Sequence, residues 1–529
     1  MKWILLLLCL PLTAPAQVDS CDLLITNGKI LDGTGNSWYY GDIAVKDGHI
    51  AAIGRSLNYR SKRTIDATGL IVAPGFIDVH THLEDDEIRN PQATNFIMDG
   101  VTTCITGNCG SSNTDIGKYL TWIDSLKLSI NVASLIGHND VRKAVMGRAN
   151  REATPGEMEK MKAIVDKAMR DGAVGLSTGL IYIPGTYTKT PEIVELAKVA
   201  AHYHGVYASH MRDEGDSVTQ AIAEALTVGR EAKIPVEISH FKLSGQQNWG
   251  RSKETVPMIE AARKEGIEVT IDQYPYTASS TSISTLLPDE ILADGQDSIK
   301  ARLERPEVRD YVIRSMLQRL KKRKLKHFSY AVVAYYSPDT SFNGKSIEEI
   351  NRMMGRKHKA KEEALTIIDI MKKGGASAVF HGMSEEDVKR IMQYPFNMFA
   401  SDASIRVFNA GMPHPRGYGT NARVLSMYVR DLKVISLEEA VRRMTSLPAQ
   451  KFQLHDRGLL KTGMAADIVI FDEKEVKDLS TYDKPHAYST GFHFVIVNGV
   501  VTSENNVHTG ARAGEALYGP GKTIPKSGF

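Results

Sequence analysis

Cysteine is scarce in this chain, with four residues among 529, at positions 9, 21, 104 and 109. So few thiols exclude a small scaffold stapled by disulfides. An excess of charge is lacking too. The chain carries 65 basic and 62 acidic residues, a formal net charge of +3. Nucleic acid is not expected as a partner, because a phosphate-binding surface needs a concentrated basic patch. The one basic run, Lys321-Lys322-Arg323-Lys324-Leu325-Lys326, reads as a solvated helix end. Beyond the N-terminus no segment reaches the ~20 apolar residues of a membrane-spanning helix. Internal repeats and low-complexity stretches are also missing. What remains is ordinary globular composition, 42% hydrophobic and 24% charged, at a length suited to a large barrel plus a smaller domain.

The N-terminus stands apart from the fold. Lys2 supplies a positive start, Trp3 to Leu12 is apolar, and Ala14-Pro15-Ala16 is a small-residue cleavage pattern before Gln17. Residues 1–16 therefore read as a secretory signal peptide, which predicts a periplasmic or secreted protein with no membrane insertion after its removal. Neither Cys9, inside the apolar run, nor Cys21, with no apolar run before it, suits a lipoprotein site. Removal of the signal leaves three cysteines in an oxidising compartment, and an odd thiol there asks for a role that a metal would fill.

Residues 17–72 are rich in short β runs, with Asp47-Gly48 as a hairpin signal. A matching β-rich stretch returns within 455–529, in DIVIFD (467–472) and FHFVIVNGVVT (492–502). These two ends are expected to pair into one small β-sandwich domain. Between them, residues 73–454 alternate strand and helix. Eight buried strands are expected, around 75–80, 101–107, 131–138, 173–179, 206–210, 236–240, 268–274 and 397–402. Helix starts stand at Thr154-Pro155-Gly156-Glu157 and at the capping pattern Ser436-Leu437-Glu438-Glu439. The fold class is α/β, a (β/α)8 TIM-like barrel. The long gap before the last strand predicts an inserted helical region, about 285–385, over the mouth.

In such a barrel chemistry sits at the C-terminal strand ends. His80 and His82 close the first strand, two residues apart and so on one face. Cys109 follows the second strand in GNCG. His210 ends the fifth, His240 ends the sixth and Asp402 ends the eighth. Thiolate, imidazole and carboxylate are the ligand set of zinc, Zn2+, and a catalytic zinc keeps one position open. One buried histidine is ordinary core; so many ligand-type residues at one barrel face are not.

The stretches VAPGFIDVHTHLEDD, GVTTCITGNCG, STGLIYIPGTY, SHMRDEG, ISHFK, DQYPYTASST, SDAS, HPRGYGTNARVL and MTSLPAQKF, in this order, resemble the N-acyl-D-amino-acid deacylase (D-aminoacylase) family of the amidohydrolase superfamily. DRGLLKTGMAADIVIFD looks like the return strand of that family's β-sandwich. Most binuclear amidohydrolases bridge their metals with a carboxylated lysine; this branch is similar in using a cysteine, which makes Cys109 the signature residue. The resemblance implies zinc-dependent hydrolysis of a linear amide in a small-molecule N-acyl-D-amino acid. It implies that Cys109, His210 and His240 hold the tightly bound zinc and that His80 and His82 form a second metal position. Asp402 would be the general base and then the acid toward the leaving nitrogen. Lys242, Tyr274 and Arg416 match positions that bind the substrate α-carboxylate, for which an arginine fork is well suited. Ser280 is a candidate hydroxyl donor to the amide oxygen.

Cyclic-amide hydrolases of the same superfamily are disfavoured, since the fourth strand reads GLSTGL without a lysine. A barrel serving only as a binding protein is expected to have lost ligands, and none is missing. Cys104, five positions before Cys109, is expected to face the other side of its strand as core rather than to form a disulfide that would destroy the metal site. Side-chain selectivity is expected in the insertion, around TSISTLLPDEIL and YAVVAYYSPDT.

Overall fold

Eight parallel strands close into a barrel in the computed structural model, which describes residues 19–522; the expected signal peptide lies outside the described residues. The strands are Phe76–Asp78, Val101–Thr106, Asn131–Ser134 continued by Ile136–Gly137, Gly175–Gly179, Val206–His210, Val236–Ile238, Val269–Gln273 and Asn397–Phe399. Each pairs in parallel with the next along the chain or hands on to it by a backbone bond. Thus Val174 N donates to Ser134 O at 2.9 Å between the third and fourth strands, and the eighth returns to the first where Asp402 N donates to His80 O at 2.9 Å. The strand bodies are buried on both faces, as a parallel sheet requires. Ile77, Val79, Ile105, Ala133, Val206 and Met398 fill one cluster, while Cys104 packs with Ile116, Leu120 and Ile123 of the helical layer. All three cysteines of the described chain are free.

The helices start where local chemistry dictates. Thr154 and Glu157 form a complete capping box with Pro155 in the first turn of helix Pro155–Asp171. Ser436 accepts from Glu439 N at the start of Leu437–Met444. Both satisfy amides that a helix leaves orphaned. No helix among the described residues is long and apolar enough to cross a membrane.

The chain ends meet in one continuous nine-stranded sheet. Ser20–Ile30 pairs with Tyr39–Lys46, which turns at Asp47 (φ 49°) and Gly48 (φ 78°) into His49–Gly54. Two successive positive φ values match the right-handed strand twist of a tight hairpin. Ile71–Pro74 pairs with Ile468–Phe471 and so joins the first segment to the last. Ile25, Ile43, Val45, Ile468, Ile470 and Ile496 share its core.

The segment between the seventh and eighth barrel strands departs from the all-helical expectation. It holds a three-stranded antiparallel sheet of Ala278–Ser282, Ser377–His381 and Ala331–Tyr335 beside helices such as Pro306–Lys322 and Ala360–Lys372. Its own core includes Leu303, Val312, Met316, Val333, Ile347 and Ile367. The strand ASSTS has little β signal of its own; pairing with SAVFH makes it a strand. Through it the insertion reaches the barrel mouth at Ser279, Ser280 and Thr281.

Candidate metal centre

Cys109, His240 and Asp402 leave their strands with positive φ, at 53°, 38° and 50°. Non-glycine residues reach this region at a cost of roughly 1–3 kcal/mol each, and such strain gathers at functional sites. The loop GNCG shows how it is imposed. Gly107 and Gly110 both have φ 77°, and a Cβ on Gly110 would lie 2.3 Å from Asn139 Oδ1 and 2.7 Å from Gly179 N. Only glycine lets the backbone pass so closely, and the turn aims the thiol inward.

Around that thiol the histidines converge. Cys109 Sγ lies 3.3 Å from His80 Nε2, 3.4 Å from His210 Nδ1 and 3.6 Å from His240 Nε2. Zinc held by sulfur at about 2.3 Å and nitrogen at about 2.0–2.1 Å in tetrahedral geometry sets those atoms about 3.5 Å apart. The donor set therefore fits a metal in kind, and its thiol-to-imidazole distances fit in spacing, while His210 Nδ1 and His240 Nε2 sit closer to each other, at 2.8 Å. His210 Nε2 is buried without a hydrogen-bond partner among the described residues. Burial opposes a charged thiol, yet the His80 and His210 imidazoles outweigh it and hold Cys109 well below the ordinary thiol range, as a metal ligand requires. Burial and the facing His240 push His210 down, toward the neutral form that can coordinate.

Two carboxylates that the sequence reading passed over hold these imidazoles. Glu214 Oε1 lies 2.9 Å from His240 Nδ1, and Asp272 Oδ2 lies 3.4 Å from His80 Nδ1. Asp272 also accepts from the backbone N–H of His240 at 2.9 Å. A carboxylate behind a histidine fixes its ring and tautomer for coordination. Asp272, at the C-terminal end of the seventh strand, was findable by that position; Glu214, in the loop HMRDEG, carried no such signal.

Beside this cluster His82 Nε2 is 3.3 Å and His80 Nε2 3.8 Å from Asp402 Oδ1. His80 thus stands between the thiol and the aspartate, within reach of both the Cys109–His240 group and the His82–Asp402 pair. Burial would raise the Asp402 carboxyl, but Arg416 and His82 override it and hold the group well below the usual carboxylate range. Arg416 Nη1 is 2.8 Å from Asp402 Oδ2, and its Nη2 donates to Ser280 O at 3.2 Å. Lys242, buried, donates to Glu214 Oε1 at 2.5 Å and to His240 O at 2.9 Å. The Tyr274 ring lies under both cations, 4.6 Å from Arg416 Cζ and 5.6 Å from Lys242 Nζ. Its hydroxyl is buried and unpartnered among the described residues. Ser280 lines the mouth, and so does Tyr182, unforeseen from sequence, edge-on to His210 at 4.9 Å with its hydroxyl 2.9 Å from Thr281 Oγ1. Cys109, His82, His210, His240 and Asp402, with Lys242, Tyr274 and Arg416, line one cavity of about 810 Å³, the size of a small-molecule site, while His80 and Asp272 are fully buried.

A closed barrel whose strand ends present thiol, imidazole and carboxylate to one cavity, with a buried carboxylate poised beside them, is a metal-dependent hydrolase. Residues 63–503 match the amidohydrolase family, and residues 12–76 match the urease alpha-subunit N-terminal domain. The chain is 34% identical to a D-aminoacylase of Alcaligenes xylosoxydans xylosoxydans, over 95% of this chain and 99% of that one. It is equally, 34%, identical to an N-acyl-D-glutamate deacylase of the same organism, over 91% and 93%. A crystal structure of an N-acyl-D-glutamate deacylase from Bordetella bronchiseptica, complexed with zinc and a phosphonate inhibitor, superposes with a TM-score of 0.80 at 34% identity, covering 94% of this chain and all of that one. The protein belongs to the amidohydrolase family, in the group of the D-aminoacylases.

Proposed function

We propose that this protein is a zinc-dependent deacylase that hydrolyses the amide bond of N-acyl-D-amino acids to a carboxylate and a free D-amino acid. The observation that carries the reading is the Cys109 thiol ringed by His80, His210 and His240 at 3.3–3.6 Å, with Asp402 beside it. The D-preference is drawn from the relatives named above.

Cys109, His210 and His240 would hold one zinc, and His80 with His82 a second. Bound zinc polarises the amide oxygen and brings water to a pKa near ~7. Asp402 takes the proton of the attacking water at its carboxylate and returns it to the departing amide nitrogen. Arg416 holds Asp402 in orientation and shares its guanidinium with the substrate α-carboxylate, joined by Lys242, the other cation over the Tyr274 ring. Ser280 and Tyr182 offer hydroxyls to the amide oxygen, where a developing negative charge is stabilised. Glu214 and Asp272 keep the imidazole rings in place. The catalytic unit spans 73–454 with its insertion, and the two chain ends form the smaller domain. Residues 1–16 act as a secretory signal and deliver the enzyme to the periplasm or the medium.

The test is an assay of the signal-free protein on matched N-acetyl-D- and N-acetyl-L-amino acids, with and without a strong chelator. Release of the D-amino acid, abolished by chelation and restored by zinc, is the expected result. Intact substrates in the presence of measured, bound zinc would overturn the reading.

A further inference from the structure

The cavity at the barrel mouth holds more positive charge than the reaction uses. Four of its cations are paired: Lys242 with Glu214, Arg416 with Asp402, Arg89 with Asp86 at 3.8 Å and Lys143 with Asp140 at 3.7 Å. Arg148 is exposed at the rim, where water satisfies it. Arg406 is different. It is partly buried and lines the cavity, and among the described residues it has no carboxylate within 4.0 Å. Its Nε is sealed from solvent with no hydrogen-bond partner.

Nor is Arg406 there by accident of a loose loop. It follows Asp402 by four residues. Its N–H donates to Asn95 Oδ1 at 3.0 Å, and its carbonyl accepts from Asn90 Nδ2 at 3.0 Å. Asn95 Nδ2 further ties Ser404 O at 3.2 Å and Gly417 O at 2.9 Å. Ile405 is buried beside it. A side chain on Gly417 would come within 3.0 Å of Arg406 Nε, so the glycine leaves the guanidinium its space. A cation held this firmly, part-dehydrated and near a second arginine, is unfavourable until an anion arrives.

We propose that Arg406 binds a second carboxylate on the substrate, the side-chain carboxylate of an acidic D-residue, so that N-acyl-D-glutamate or N-acyl-D-aspartate is preferred over neutral analogues. This rests on the deacylase reading, in which Arg416 and Lys242 are taken by the α-carboxylate. Overall identity does not choose between a D-aminoacylase and a D-glutamate deacylase, both 34%; the unpaired arginine does. It also moves selectivity from the insertion to the loop after the eighth strand.

The experiment measures kcat/KM of the zinc-loaded enzyme and of Arg406→Met on N-acetyl-D-glutamate, its neutral isostere N-acetyl-D-glutamine, N-acetyl-D-leucine and N-succinyl-D-leucine. The expected result is a glutamate-to-glutamine preference of about 10- to 100-fold, the range of a charged hydrogen-bonded pair, that collapses toward unity in Arg406→Met and is partly kept in Arg406→Lys. Equal loss on both substrates, with the ratio unchanged, would mark Arg406 as structural and overturn the inference. A charge preference confined to the succinyl compound would move the anion to the acyl group and overturn the side-chain assignment. Cleavage of the neutral substrates with no preference sinks this inference and leaves the deacylase reading intact; cleavage of none sinks both.

Discussion

The barrel mouth and the nine-stranded sheet treat buried charge in opposite ways. Beside the sheet, in the bend before its strand Ile468–Phe471, Arg457 is almost wholly buried and fully matched, 2.5 Å from Asp467, 3.1 Å from Asp456 and 2.9 Å from Glu515. Asp467 in turn accepts from Asn131 Nδ2 at 2.9 Å and from Asn498 N at 2.8 Å, which ties the sheet to the barrel. At the mouth the cations compete for few carboxylates, Arg406 has none within 4.0 Å among the described residues, and His210 and Tyr274 keep orphaned polar atoms there. Strain divides the same way. Positive φ in the sheet falls on turn residues such as Asp47 and Gly48, whereas at the mouth it falls on Cys109, His240 and Asp402. A region selected for stability satisfies its groups internally. A region that must bind an ion and a charged substrate leaves groups unsatisfied for them.

Substitution at the mouth should therefore cost activity, and in the sheet stability. The largest effect is expected for Asp402→Asn, which keeps the shape but removes the proton acceptor. A loss of about 10²- to 10⁴-fold in kcat is expected, with zinc content and melting temperature near those of the parent. Loss of zinc together with activity would instead make Asp402 a ligand. Beside the sheet, Arg457→Met strips Asp467 of its buried partner and should destabilise by about 3–5 kcal/mol, read from urea or thermal unfolding. The fraction still folded should turn over at the parental rate per bound zinc. A lower rate per zinc would mean that the sheet reaches the active site, and the division would fail.

Between these lies Glu214→Gln. Glutamine cannot balance Lys242 or draw a proton from His240 Nδ1, so zinc affinity should fall by about 10- to 100-fold, as for other carboxylates behind a metal-binding histidine. Competition with a chromophoric chelator reads this directly, without reference to turnover. Unchanged affinity would reduce Glu214 to a partner of Lys242 alone, in which case KM for the substrate should rise while zinc stays bound.

The difference between the regions also explains what was legible in the sequence. Five of the barrel strands announce themselves as short buried runs that end in or are followed by a ligand-type residue, because burial on both faces and the chemistry of strand ends are local requirements. The Asp47-Gly48 hairpin and the Thr154 capping box are local as well. Glu214 and Asp272 act through rings supplied by other strands; Asp272 is marked only by its place near a strand end, and nothing near Glu214 in sequence distinguishes it from a solvated acid. Arg406 is defined by partners that are missing, which only a folded chain can reveal. The strand ASSTS exists through its pairing, not its propensity. Cys104 shows that alternation carries further, for it faces the helices while Cys109, past the strand end, faces His80, His210 and His240.

The smallest effect is expected at a glycine of the sheet. Gly48 occupies the second position of its hairpin with φ 78°, and an added Cβ would lie 3.2 Å from Asn498 O. An L-residue there meets both the conformational cost of the left-handed region and a tight backbone contact, so Gly48→Ala should destabilise by about 1 kcal/mol. Zinc affinity and kcat should not move, because the turn lies on the sheet and touches no residue of the cavity. Gly110→Ala provides the matched case at the mouth. Its Cβ would meet Asn139 and the Gly179 backbone at 2.3 and 2.7 Å, so the loop must shift and carry Cys109 with it. The two glycines have nearly the same φ, 77° and 78°. If both variants lost only stability, the separation of the two regions would be wrong. If Gly110→Ala alone lost zinc, the strain in the GNCG loop would be established as a functional one.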